Sequence, residues 1–353
     1  MKKLLIYTSL IAVAGLTATT ALAGNEDRAG QAGANELLIN PWARTGGWGG
    51  INGATVRGVE AMNLNVAGMA WNKGTEVAFS HSEWLSGSDI QIESFGISQK
   101  VGESGALGLT IMSMNLGDIE RTTEDQPDGG AGTFTPQFLN IALGYSKEFS
   151  NSIRGGLVAR IISESINDVS SQGFVIDAGI QYITGFNEDK DNLKFGIALR
   201  NVGTPMKYEG EGLAYRNDNP ATNINVLQEQ RTEEFEMPSL IAISLAYDFK
   251  LQEDHKLTAQ ANFTSNSFIR DQFGVGVEYS FRKMFSVRGA YTFDKEDKNA
   301  ITDMRISSLM GPSGGVTFQL PLGKGDKSIG LDYSYRATET FNGTHTFGVI
   351  LSL

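Results

Sequence analysis

From about residue 75 onward, apolar residues alternate with small or polar ones in stretches roughly ten long, separated by clusters of Gly, Asn, Asp and Lys. Segment 272–282 shows the pattern most cleanly. Phe273, Val275, Val277, Tyr279 and Phe281 fall on one face, and Gln272, Gly274, Gly276, Glu278, Ser280 and Arg282 on the other. Ile241, Ile243, Leu245, Tyr247 and Phe249 alternate likewise with Ala242, Ser244, Ala246, Asp248 and Lys250. So do Ile329, Leu331, Tyr333 and Tyr335 with Gly330, Asp332, Ser334 and Arg336. A period of two is the period of a strand. It predicts strands over 75–81, 91–101, 105–114, 136–149, 153–165, 173–183, 193–203, 239–250, 255–265, 272–282, 284–294, 314–321, 328–336 and 344–353. The expected fold is all-β, a 14-stranded antiparallel transmembrane β-barrel.

Connection lengths test that count, because outer-membrane barrels have short periplasmic turns and longer outer loops. With both termini in the periplasm, every odd-to-even connection is an outer loop. The long connections 115–135, 204–238 and 295–313 follow strands three, seven and eleven, whereas only Lys283 separates strands ten and eleven. Aromatic residues give a second test. Tyr145 with Phe149, Tyr182 with Phe186, Tyr247 with Phe249 and Tyr279 with Phe281 are expected at the periplasmic interface, and Tyr291, Phe293, Tyr333 and Tyr335 at the outer rim. The last stretch, His345 to Leu353, puts Phe347, Val349, Leu351 and Leu353 on one face and has the look of the terminal strand that assembly machinery reads. A soluble β-sandwich would alternate in the same way. Its non-apolar faces would then be solvent-facing, yet here they are rich in Gly, Ala, Ser and Asn, as a crowded barrel interior is.

Composition agrees with export and with a strand-built membrane protein. Lys2 and Lys3, an apolar run from Leu4 to about Leu16 and the small-residue ending Ala21-Leu22-Ala23 have the layout of a cleaved signal peptide over 1–23. No later run of 18 or more apolar residues occurs, which excludes helical spans, while a barrel needs apolar residues only at alternate positions. Loss of the two leader lysines takes the formal net charge from −11 to −13, so nucleic acid is not an expected partner. The chain has no cysteine, which removes disulfides and thiolate chemistry.

Residues 24–74 break the period. They are Gly-rich at 46–50 and carry Leu37, Leu38, Ile39, Trp42, Trp48, Met62, Leu64, Met69 and Trp71, anchors that need something to pack against. The lumen of the 75–353 barrel is the expected partner, with 24–74 as an N-terminal plug, since fourteen strands leave a bore too wide for side chains alone to fill. The alternative is a periplasmic tail.

Glu36-Leu37-Leu38-Ile39-Asn40-Pro41-Trp42-Ala43-Arg44, the Gly run after it, and Glu60-Ala61-Met62-Asn63-Leu64-Asn65-Val66-Ala67-Gly68-Met69-Ala70 resemble the start of the PorV/PorQ family, within the wider group of FadL-like barrels. Phe95 to Val101, Gly117-Asp118-Ile119 and Phe174 to Tyr182 extend the likeness over most of the chain. Family members read Asn-Pro-Ala-Gly where this chain has Asn65, Val66, Ala67 and Gly68. The resemblance implies a plugged fourteen-stranded outer-membrane barrel. For the PorV type it implies a protein-binding component of the type IX secretion system, with a translocon, cargo C-terminal domains or a sortase as partners beside outer-membrane lipid and lipopolysaccharide. For FadL-like relatives it implies passage of hydrophobic small molecules. A structural subunit of another outer-membrane assembly is a third reading. In the first, Tyr208, Leu213, Tyr215 and Phe235 on the outer loop, with Val226 and Leu227, suit protein contact.

Chemistry beyond binding finds little footing. His81, His255 and His345 lie far apart with no metal-ligand spacing, so neither a metal nor another cofactor is expected. Gly323-Lys324-Gly325-Asp326-Lys327-Ser328 lacks the spacing of a phosphate loop and reads as a turn, as does Asn342-Gly343-Thr344. The acidic runs Glu124, Asp125 and Asp128; Glu233, Glu234 and Glu236; and Asp294, Glu296 and Asp297 read as solvated outer loops, with divalent-cation binding as the sharper alternative. No serine and histidine are placed to make a barrel lipase, and no enzymatic activity is expected.

Overall fold

The alternation seen in the sequence closes on itself. A computed structural model describes residues 28–185, 191–219, 224–294, 308–323, 327–339 and 341–353, and residues 1–27, with the expected signal peptide, Phe186, Glu296, Asp297 and residues 324–326 lie outside them. Fourteen antiparallel strands form one closed barrel: β1 Thr75–Trp84, β2 Ile90–Val101, β3 Gly105–Asn115, β4 Gln137–Glu148, β5 Ile153–Ile166, β6 Val169–Thr184, β7 Leu193–Gly203, β8 Leu240–Gln252, β9 His255–Asn266, β10 Gln272–Phe281, β11 Phe285–Asp294, β12 Gly311–Pro321, β13 Ser328–Arg336 and β14 Thr344–Ser352. Each strand pairs with its neighbours in sequence, and β1 closes on β14 through the register Glu76 to Ser352. Thr75 and Leu353 exchange backbone bonds of 3.2 and 2.8 Å, so the chain terminus seals the seam.

The burial pattern of β4, in which every second residue is exposed, is the signature of a wall between two media. Leu143, Leu157 and Ile161 are 58–60% exposed, and apolar residues such as Ile180, Ile197, Ile243, Val277 and Leu331 continue this belt around the barrel. At roughly 25 cal/mol per Å2 such a belt is unfavourable in water and is satisfied by lipid. The opposite face is polar and buried: Arg160, Asp177, Gln181, Lys194, Asp248, Arg288 and Asp332 all point inward.

Strands β3, β7 and β11 end at one rim, which we call the outer end, and connections 102–104, 149–152, 253–254 and 282–284 lie at the other. Aromatic rings mark both rims. Phe263, Phe273, Phe293 and Tyr291 form a chain of contacts across β9–β11 near the outer end, while Tyr182 stacks on Phe195 and Tyr247 meets Phe249 at the periplasmic end.

Several expected boundaries move. β1 runs on to Trp84 and β6 begins at Val169, beyond the predicted 75–81 and 173–183. The β5–β6 hairpin turns on Asn167, whose φ of 51° suits a two-residue turn, so Ile166 pairs with Val169 and the ladder continues past the apolar belt, where the side-chain pattern stops announcing it. β12 starts at Gly311, three residues earlier than predicted, because Gly311 and Pro312 hid a paired stretch. The outer loop 204–238 carries strands of its own, Ala214–Asn219 paired with Ile224–Glu229, and loop 115–135 pairs Ile119–Glu120 with Thr133–Phe134.

Residues 28–74 touch the inward face of the wall from many sides. Their short elements are a 3-10 turn at Asn35–Leu38, α1 at Ala43–Gly47, α2 at Ala61–Leu64 and a second 3-10 stretch at Val66–Trp71. Contact at backbone distance requires glycine in the wall: a Cβ on Gly196 of β7 would lie 2.6 Å from the Gly53 carbonyl oxygen.

Candidate functional site

The lower part of this inner segment is clamped to the wall by charge and by apolar packing. Arg44 on α1 makes a two-pronged ion pair with Asp332 of β13, both bonds 3.0 Å, and Asp332 also accepts from Thr317. Arg288 of β11 sits between Glu278 at 2.7 Å and the Arg44 carbonyl at 3.2 Å. Glu60 accepts the Thr45 amide at 2.9 Å, which ties α1 to the approach to α2. A paired and hydrogen-bonded charge is the form in which burial is tolerated. On the opposite side Met62, Met69, Val66, Val56 and Leu64 pack with Ala106, Ala142 and Val158 of the wall.

Asn65, Val66, Ala67 and Gly68 hold this part in place. Asn65 Nδ2 donates to the carbonyls of Gly53 at 3.1 Å and Ile180 at 3.0 Å, and its Oδ1 accepts the Ala67 amide. Val66 and Ala67 are buried, and a Cβ on Gly68 would fall 2.1 Å from the Val56 carbonyl oxygen. Gln181 of β6 donates to the Gly53 and Val56 carbonyls at 3.0 and 3.1 Å. Toward the periplasmic end Trp71 lies between two guanidinium groups, Arg57 at 4.1 Å and Arg154 at 3.4 Å from its ring centroid.

Above this floor the packing opens. An outer chamber of about 840 Å3 lies between residues 30–39 and the upper wall. Trp84, Met114, Phe138, Phe235, Leu309 and Met310 give it an apolar lining, and its ionisable groups include Glu36, Glu164, Tyr208, Arg270 and Asp294. Ala34, at φ 49°, turns the chain into the Asn35–Leu38 turn, and that turn places Glu36 opposite Glu164. Burial pushes the Glu36 carboxyl up to about 8, and the Glu164 charge adds to the shift. Tyr208 donates its hydroxyl to Glu164.

A smaller inner chamber of about 90 Å3 adjoins it, and Leu38, Trp84, Ile269, Gln272 and Leu309 line both. Its remaining wall mixes Ile51, Leu64 and Leu240 with the polar Asn262, Thr264, Asn266 and Thr292, and includes Arg200 and Arg336. Arg200 donates to the Leu37 carbonyl and Arg336 to that of Leu309.

The four loop residues singled out in the sequence divide between two places. Tyr208 and Phe235 line the outer chamber with their ring centroids 5.5 Å apart, whereas Leu213 lies beside the projecting hairpin and Tyr215 within it, half exposed. Each histidine meets a cross-strand neighbour: His81 faces Glu93 at 2.6 Å, His255 faces Tyr279 at 2.5 Å and His345 faces Tyr333 at 2.8 Å. Of the acidic runs, Glu236 pairs with Arg28 and Asp294 with Arg270. Sequence reasoning missed Glu36, Glu164 and Trp84. The signal for Glu164 was its parity: on β5 it shares the inward face with Arg160 and Ile162.

Comparison with known proteins bears on the fold. No family model matches the chain, and no curated protein sequence does. Among solved structures, it is similar to the toluene transporter TodX of Pseudomonas putida, with TM-score 0.54 and 11% identity over 87% of this chain and 96% of that one. The toluene transporter TbuX of Ralstonia pickettii aligns with TM-score 0.51 and 11% identity, over 89% of this chain and 97% of that one. A deletion variant of TodX, described as a monoaromatic hydrocarbon channel, gives TM-score 0.53 at 10% identity, over 88% of this chain and 97% of that one. At these identities the likeness is one of fold, and these neighbours are FadL-family outer-membrane barrels. The fold and the apolar belt together make the chain a bacterial outer-membrane barrel.

Proposed function

We propose that the barrel admits hydrophobic small molecules through its outer end, with residues 28–74 as a plug that forbids a straight open pore. The observation that carries this reading is the outer chamber: about 840 Å3, mostly apolar, and floored by a segment that is bonded to the wall on several sides. A pocket of that size and lining is suited to a solute with a large apolar part. The fold shared with two toluene transporters supports the same class of cargo.

Uptake of labelled toluene by cells with and without the full chain in their outer membrane tests it. The expected result is faster entry with the chain present, and slower entry again when Ala34→Trp narrows the chamber. Equal rates in all three strains would remove the reading. Protein reception in the manner of the type IX system stands second. What supports it is the projecting hairpin 214–229, where Tyr215, Val226 and Leu227 are exposed, with Leu227 at 69%.

A further inference from the structure

Two of the carboxyl groups that line the outer chamber, Glu36 and Glu164, have no counterpart in a purely apolar passage. Glu36 and Glu164 are 5% and 3% exposed, and among the described residues neither makes an ion pair. Glu36 Oε1 is buried without a hydrogen-bond donor, while the two carboxyls share a side-chain hydrogen bond and Glu164 also accepts from the Tyr208 hydroxyl. Cations stand nearby but are committed elsewhere. Arg160 is bound to Asp177, Asn140 and the Met62 carbonyl, and Arg200 donates to the Leu37 carbonyl. Toluene would gain nothing from such a pair, and a carboxylate would be repelled by it.

We propose that the outer chamber is a binding site for hydrophobic molecules that carry a positively charged nitrogen, whose ammonium group seats between the Glu36 and Glu164 carboxyls. This rests on the passage reading above and narrows its cargo. The groups that face Glu36 are Glu164 from β5 and the Tyr208 hydroxyl behind it, and Arg270, which also lines the chamber, is paired with Asp294 at 3.7 Å. Aromatic and apolar side chains, including Trp84, Phe138 and Phe235, surround the rest of the guest. In the empty site two adjacent carboxyls do not both ionise, and the raised pKa of Glu36, about 8, keeps a proton on the pair at neutral pH. An arriving ammonium replaces that proton. Calcium fits less well, because two carboxyls and a phenol fall short of its six to eight oxygen ligands.

Calorimetry on the full chain in detergent micelles tests the proposal with phenylbutylamine, phenylbutanol, phenylbutyrate and calcium chloride as probes. At neutral pH the amine is expected to bind at least about tenfold more tightly than the alcohol, with the acid weakest. Two buffers of different ionisation heat should show about one proton released per amine bound and none for the alcohol. Glu36→Gln with Glu164→Gln should bring the amine down to the affinity of the alcohol, itself unchanged. Should the double variant not fold, Glu36→Gln alone, which leaves the Tyr208 bond intact, carries the same test. An amine no tighter than the alcohol, an advantage that survives the substitutions, or glutamate-dependent binding of calcium but not of amine would overturn the proposal. Binding of the alcohol alone would leave the passage reading standing. Binding of none of the organic probes would remove both.

Discussion

Residues 42–72 and residues 28–40 belong to one inner segment, yet they are held in opposite ways. The lower stretch is fixed by the Arg44–Asp332–Arg288 network, by Asn65 and by side chains packed against wall glycines. The upper stretch has fewer ties: the Gly33 amide to the Glu236 carbonyl at 3.1 Å, the Leu37 carbonyl to Arg200 at 3.4 Å and an exposed pair between Arg28 and Glu236. One edge of this upper stretch packs on Ile162, Val175, Met206 and Met237, and the other borders the 840 Å3 chamber. The difference teaches how a plugged barrel can still take a guest. In the reading proposed above, the bonded floor closes the bore and the space for a solute lies above it, beside the less tied part of the segment.

The contrast is most strongly broken at Asp332. Asp332→Ala leaves Arg44 and Arg288 short of their buried anion, and a loss of about 3–5 kcal/mol in docking of residues 42–72 is expected, read as new protease cleavage there while the barrel stays folded. Asn65→Ala comes next. It removes the side-chain bonds to the Ile180 and Gly53 carbonyls and to the Ala67 amide, at a cost of about 1–3 kcal/mol, visible as faster hydrogen exchange at Ala67.

The upper stretch should respond to pH instead. Because the docked Glu36 holds its proton up to about 8 and an undocked one only to about 4.5, docking of residues 28–40 is strongest below pH 4.5 and weakens as pH rises toward 8. Protease cleavage near Glu36 should therefore increase by a few-fold, and at most about tenfold, per pH unit across that window, and Glu36→Gln should flatten the response. The smallest effect belongs to the outer hairpin. Deleting 214–229, which makes few contacts with the barrel, should change heat stability by less than about 0.5 kcal/mol, checked by the gel mobility of heated and unheated samples.

Much of this architecture is legible in the chain, because a strand facing lipid on one side must alternate. The parity of Phe273 to Phe281 and the long connections at odd-to-even positions are local facts, and they were enough to place the strands. The chamber is a different kind of object. Glu36 and Glu164 lie far apart in sequence, and neither sits in a motif that announces the other. What joins them is the path of a segment with no period of its own, set by side chains such as Asn65 meeting the carbonyl of Ile180. Asp332 was visible as an inward residue of β13, but its partner Arg44 was not, since nothing in residues 43–47 says which strand they will meet.

Residue-resolved hydrogen exchange on the full chain, with and without toluene, tests the division between floor and chamber most directly. Slower exchange is expected in residues 28–40, around Trp84 and at Leu309–Met310, with residues 42–72 unchanged. Protection that appears in residues 42–72 instead, or nowhere, would contradict it.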